Sequence, residues 1–186
     1  MDLVLFGIQG SGKGTQAKKL AENFGYTIFE MGAELRSMAQ SDTETGRCVK
    51  ACIDAGQLVP PNIIMDVVSH ALLKINGKVL FDGIPRDMHQ MREFDTVMTR
   101  FQRSFRCVQL TLDDATAFVR IQGRAKEQGR ADDMNPDAVQ KRIAIFKANT
   151  VPVVEEYRKE GKMIDVDASP AIDQVFENLK KVLADS

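Results

Sequence analysis

Thiols and imidazoles are scarce in this chain: its 186 residues include three cysteines and two histidines. An odd thiol count (Cys48, Cys52, Cys107) points to reduced cysteines rather than a disulfide framework. Cys48 and Cys52 are four apart and would share one face of a helix. Two ligands do not close a zinc site, so we read them as small packing residues. His70 and His89 each fall in a helical pattern, and neither joins a Cys–His or Ser–His constellation, so nothing indicates a covalent nucleophile. Neither sign of charge prevails: 25 Lys and Arg face 26 Asp and Glu, a net charge of −1. Such a balance gives no reason to expect nucleic acid or a membrane surface as partner. No apolar run approaches the ~20 residues a membrane span needs. Internal repeats, linkers and low-complexity segments are also missing. Met1-Asp2 leads at once into a short apolar run, which is not how a signal peptide begins. The expectation is one cytoplasmic, monomeric unit over residues 1–186.

Against these absences stands one dense stretch. Leu3-Val4-Leu5-Phe6 runs into Gly7-Ile8-Gln9-Gly10-Ser11-Gly12-Lys13-Gly14-Thr15-Gln16. A buried strand, a glycine-rich turn and a lysine opening a helix make a phosphate-cradling P-loop. Its backbone N–H groups form an anion nest, and the helix adds its positive end. Gly7, Gly12 and Lys13 complete the pattern, but the hydroxyl that usually follows the lysine is displaced by one position to Thr15.

Apolar runs alternate with helix-length patterns along the rest of the chain. Strands are expected at Leu3–Phe6, Thr27–Phe29, Lys78–Phe81, Arg106–Leu112 and Met163–Val166. Helices are expected near Lys13–Phe24, Thr43–Ala55, Pro61–Lys74, Met88–Phe101, Asp113–Arg124, Pro136–Glu160 and Pro170–Ala184. This alternation predicts an α/β, three-layer fold of P-loop type: a five-stranded parallel sheet with helices on both faces. Ligands in such folds bind at the carboxyl ends of the strands. The long excursion between the second and third strands reads as a small helical insertion over that edge, at 30–59.

Two features follow the third strand. Asp82 stands at its tip, where an acid can organise Mg²⁺ and its waters beside a P-loop. Arg86 follows in Gly83-Ile84-Pro85-Arg86, and its planar fork suits a bidentate grip on phosphate. Arg120, Arg124, Arg130 and Arg142 come later. Several arginines following a P-loop match phosphoryl transfer between nucleotides, which needs alignment and charge stabilisation but no protein nucleophile.

Taken together these pieces resemble the adenylate kinase family of nucleoside monophosphate kinases over nearly the whole chain. Gly-Lys-Gly-Thr-Gln is that family's own loop ending, which accounts for Gly14 and Thr15. Gln9 departs from the family's usual proline. Glu30-Met31-Gly32-Ala33-Glu34-Leu35-Arg36 resembles the monophosphate-site signature at Gly32, Leu35 and Arg36. Met31 replaces its base-contacting threonine and Ala33 its aspartate. Gly56-Gln57-Leu58-Val59 resembles the segment lining the acceptor base. Asp82-Gly83-Ile84-Pro85-Arg86 with Gln90 resembles the motif that ends in an adenine-reading glutamine. Arg120-Ile121-Gln122-Gly123-Arg124, Arg130 and Arg142 resemble the adenine-stacking and charge-bridging arginines. Only about five residues separate Arg124 from Arg130, which matches the short-lid form at 122–131, with no structural zinc.

The resemblance implies reversible ATP + AMP = 2 ADP transfer with Mg²⁺. It places ATP on Gly10, Ser11, Gly12, Lys13, Gly14, Thr15, Arg120 and Arg124. It places AMP on Met31, Gly32, Arg36, Gln57, Leu58, Val59, Gly83, Arg86 and Gln90. Lys13, Arg86, Arg124, Arg130 and Arg142 are then the catalytic cations, and Asp82 meets the metal through water. Two other readings stay open: a kinase of another monophosphate (CMP, UMP or dAMP), and a non-catalytic sensor of adenine nucleotides.

Overall fold

A computed structural model describes residues 1–55, 57–128 and 136–184; of these, the side chains of 124–128, 136 and 138 are not described. Five strands form one sheet: β1 (Asp2–Gly7), β2 (Thr27–Glu30), β3 (Val79–Asp82), β4 (Phe105–Thr111) and β5 (Met163–Asp167). Their order is β2-β3-β1-β4-β5, and every pairing is parallel. The chain builds β2 and β3 on one side of β1 and β4 and β5 on the other. A crevice therefore opens at the carboxyl end of β1, the usual ligand site of such sheets.

The continuous apolar run of β1 is explained by burial on both faces: all six of its residues are buried. Side-chain alternation divides it between two cores. Val4 and Phe6 join Phe81, Phe94 and Tyr157 in one cluster. Leu3 and Leu5 join Leu20, Leu80, Val108 and Phe176 in the other. The first core lies under α4 (Pro61–Lys74), α5 (Met88–Arg100) and α8 (Val151–Lys159); the second lies under α1 (Lys13–Phe24) and α9 (Ile172–Ala184). A third, smaller cluster packs Ile8 against Ala117 and Ile121 of α6 (Asp114–Gln128) and Val139 and Ile143 of α7 (Pro136–Ile145). That contact carries α7 up to the glycine-rich loop.

The structure departs from expectation in three places. The insertion holds two helices, α2 (Met31–Met38) and α3 (Glu44–Asp54), where only the second was foreseen. The single helix expected over Pro136–Glu160 is instead α7, a π turn at Phe146–Thr150, and α8. Pro152 has no N–H to give the ladder, and one wide turn just before it absorbs the change of register. Cys48 is not a packing residue: it is exposed on α3, Cys52 is half-buried, and only Cys107 lies in the core. Among the described residues, no helix is long and apolar enough to cross a membrane.

Candidate active site

The loop after β1 owes its shape to two positive-φ glycines. Gly10 has φ +88°, and a Cβ there would lie 2.7 Å from the carbonyl oxygen of Ala117. Gly12 has φ +89° and precedes the first turn of α1 without any side-chain cap. The first-turn N–H groups of α1 therefore face the crevice with no side-chain acceptor supplied by the cap. Ser11 departs from the picture of a uniformly inward-pointing cradle. Its N–H donates to the Ile8 carbonyl at 3.1 Å, and its side chain is buried. Lys13 folds back over the loop, its Nζ donating to the Gly7 carbonyl at 2.6 Å and the Ile8 carbonyl at 3.4 Å. Thr15 is exposed at the start of the helix.

Asp82 reaches the same place from the neighbouring strand. The register sets Leu5 beside Asp82 and Asp82 beside Glu30, so two carboxylates end adjacent strands. Burial raises the Asp82 carboxyl above the usual carboxylate range; Lys13 opposes the rise, Glu30 adds to it, and Arg86 opposes it. A carboxylate at a strand tip, facing a lysine and a phosphate cradle, fits a hard cation that arrives with phosphate oxygens and keeps its waters. Among the described residues, no group of three or more His, Cys, Asp or Glu side chains could cage a metal by itself.

The turn after β3 positions Arg86. Gly83 has φ +86°, and its missing side chain leaves room for the arginine to fold back, since a Cβ would sit 3.2 Å from Arg86 Nη2. Arg86 Nε donates to the Gly83 carbonyl at 2.9 Å. Its own carbonyl accepts from Thr150 Oγ1 at 2.8 Å, which ties the turn to the π turn before α8. The residue is exposed to the solvent of the crevice, with protein packed closely around its guanidinium. Its pKa is lowered, first by burial; Asp82 counters this, and the like charges of Arg142 and Arg36 deepen it. Arginine remains charged under all ordinary conditions, so Arg86 faces Asp82 while also feeling two like charges, Arg142 and Arg36. Arg142 also reaches the glycine-rich loop, with its Nη1 3.5 Å from Gln9 Oε1. Arg36 Nη2 donates to Glu30 Oε1 at 3.0 Å.

Asp87 caps α5, accepting from the N–H groups of His89 and Gln90 at 2.8 Å each. The cap holds Gln90 just beyond the turn, where its side chain is buried and Oε1 accepts from the Arg86 N–H at 2.9 Å. Only the oxygen end of the carboxamide can accept that bond, so the NH₂ end is the one directed elsewhere. Met31 is buried at 2% exposure among the core residues, Val59 is buried, and Gln57 and Leu58 are exposed. Arg120, half-buried, uses both Nη atoms on the loop before α9, donating to the Ala168 and Ser169 carbonyls at 2.8 and 2.9 Å. Its planar face is what it can still offer a ligand. Arg124 stands one turn further along α6, and its side chain lies outside the described residues, as do Arg130 and the 129–131 part of the expected lid.

Reading the residues in sequence did not single out Glu30 or Thr150 as site residues. The only signal for Glu30 was its place as the first residue of the signature segment, at a position that the resemblance did not match. Thr150 belongs to Thr150-Val151-Pro152, which resembles the family's late helix, but nothing in the sequence signalled that a π turn would bring it to the Arg86 carbonyl.

The family described as Adenylate kinase matches residues 5–162. The adenylate kinase of Stenotrophomonas maltophilia is 37% identical over 179 residues, covering 94% of this chain and 95% of the relative. That of Caulobacter sp. strain K31 is 34% identical over 187 residues, covering 99% and 98%. That of Phocaeicola vulgatus is 32% identical over 182 residues, covering 96% of each. The likeness thus runs through the sheet, the loop and the turn that frame the crevice, and the chain belongs to the adenylate kinase family.

Proposed function

We propose that the chain transfers the γ-phosphoryl group of ATP reversibly to AMP, giving two ADP. The observation that carries this reading is the convergence at one strand edge of a glycine-rich anion cradle, Lys13 and Asp82 with Arg86, whose guanidinium in turn feels the like charges of Arg36 and Arg142. A site for one polyanion does not need three further guanidinium groups; a site for two does.

Lys13 and the amides of Gly10, Gly12, Gly14 and Thr15 hold the donor phosphates, with Lys13 exchanging its loop carbonyls for phosphate oxygens. Ser11 shapes the loop rather than donating. Arg120 presents its flat face to the donor adenine, and its two carbonyl contacts keep that face still. Arg36 and Arg86 hold the acceptor phosphate. The Gln90 NH₂ end, Met31, Gly32, Gly83 and the Gln57–Val59 segment line the acceptor base. Arg124, Arg130 and Arg142 stabilise the charge on the transferring group. No side chain needs to remove a proton, because the attacking oxygen of the acceptor is already an anion. Mg²⁺ carried in with ATP supplies charge neutralisation on the donor oxygens, and Asp82 is the residue that would hold its waters. Closing the insertion at 30–59 and the lid at 122–131 over both nucleotides excludes water and prevents hydrolysis.

Replacing Lys13 or Arg86 with alanine should lower kcat at least about a hundredfold, the scale of a lost electrostatic contact to the transition state. A coupled ADP assay on variants of unchanged Tm reads this directly, and wild-type rates in both would overturn the role assignments. A second reading is supported by Met31, a buried thioether where the family places a hydroxyl: the acceptor could be another monophosphate. A panel of AMP, CMP, UMP and dAMP at equal ATP decides between them by kcat/KM.

A further inference from the structure

We infer that Glu30 is a resident competitor for the acceptor phosphate and sets the affinity of the acceptor site. The inference rests on the assignment of Arg36 to that phosphate. Glu30 ends β2, and six residues later Arg36 returns to it along α2, Nη2 donating to Oε1 at 3.0 Å. The pair packs over Gly32, where a Cβ would lie 3.0 Å from Arg36 Nη1 and in ordinary contact, 3.7 Å, with Glu30 Oε1. A carboxylate offers the guanidinium the same kind of charged oxygen that a phosphate offers. The two cannot accept the same N–H, so a phosphate that takes the Arg36 fork through Nη2 displaces Glu30 from it. Both side chains are open to water, at 63% and 53% exposure, so the exchange needs no unfolding. The displaced carboxylate stays beside the incoming dianion, within a Debye length, and continues to oppose it. Because the register sets Glu30 next to Asp82, the acceptor meets negative charge at the tips of two strands. The device lowers acceptor affinity without touching the atoms that react.

The test measures AMP binding to the full-length protein by titration calorimetry, with KM, kcat and Tm, for wild type, Glu30→Gln, Glu30→Ala and Arg36→Ala. Both Glu30 variants should bind AMP about three- to fivefold more tightly at low salt, the range of an exposed ion pair. Acceptor KM should fall to match, and kcat should hold. The gain should narrow as salt screens the site. A purely structural Glu30 would instead lower Tm and weaken AMP binding; the isosteric glutamine keeps the test sound if the alanine variant folds poorly. Unchanged or weaker AMP binding by Glu30→Gln, with Arg36→Ala losing AMP, overturns the competitor and leaves the acceptor site standing. Undiminished AMP binding by Arg36→Ala overturns both.

Discussion

Gln9 illustrates how much a single side chain at this crevice can carry. Its carboxamide oxygen faces Arg142 Nη1 at 3.5 Å, which links the donor loop to a cation already crowded by Arg86. A neutral amide can orient a guanidinium without cancelling its charge, whereas a carboxylate would both hold and discharge it. If Gln9 works through Arg142, Gln9→Ala should slow turnover about threefold or more, the scale of one net hydrogen bond. The same change made in an Arg142→Ala background should then do nothing further. Equal losses in both backgrounds, measured as kcat with saturating nucleotides, would separate the two residues. The departure of Gln9 from the family's proline was visible in the sequence. Its partner 133 residues away was not, because that contact depends on Ile8 packing against α7.

The element with the most consequence is the turn from β3 into α5. Three devices act within eight residues: the positive φ of Gly83, the Arg86–Gln90 bond and the Asp87 cap. Asp87→Ala should cost about 1 kcal/mol of stability, as lost caps do. It should also raise the acceptor KM, because the Gln90 N–H would lose its anchor and the carboxamide its fixed direction. Thermal unfolding and acceptor titration check the two effects separately; a lower Tm with unchanged KM would confine Asp87 to capping. The strands, α1, α4, α5 and α9 were legible from apolar runs and periodicity. Helix α2 was not: it has eight residues, contains Gly32 and buries only Met31, so its pattern is too short to declare itself. The break in the long late helix was signalled by Pro152, but the proline did not reveal that a π turn would carry Thr150 to the Arg86 carbonyl.

Over the whole molecule, charge is distributed between the two ends of the sheet. The carboxyl end gathers cations around Asp82 for ligands. At the opposite end, Asp2 is buried and joins three segments: it accepts from Arg103 Nε at 2.6 Å and Nη2 at 2.7 Å, and from the Val79 N–H at 2.9 Å. Arg103 Nη2 also donates to the Gly77 carbonyl at 2.6 Å. Removing one partner of a buried pair leaves the others desolvated and unmatched. Asp2→Ala should therefore cost about 3 kcal/mol, a fall of roughly 6–12 °C in Tm for a chain of this size, with nucleotide KM values unchanged. An unaltered Tm would show that the pair adds nothing net.

By itself the sequence determined the alternation of elements, the parallel sheet and the P-loop, because period, glycine placement and apolar runs are local properties of the chain. It also marked Asp82, Arg86 and Gln90 as a group, because they are neighbours on one turn. Which charges face one another was decided only by the tertiary structure. Strand order and register placed Glu30 beside Asp82, and the packing of Ile8 on α7 brought Arg142 to Gln9. Coulomb interactions and hydrogen bonds act through distance in space, and that distance exists only once the sheet has assembled.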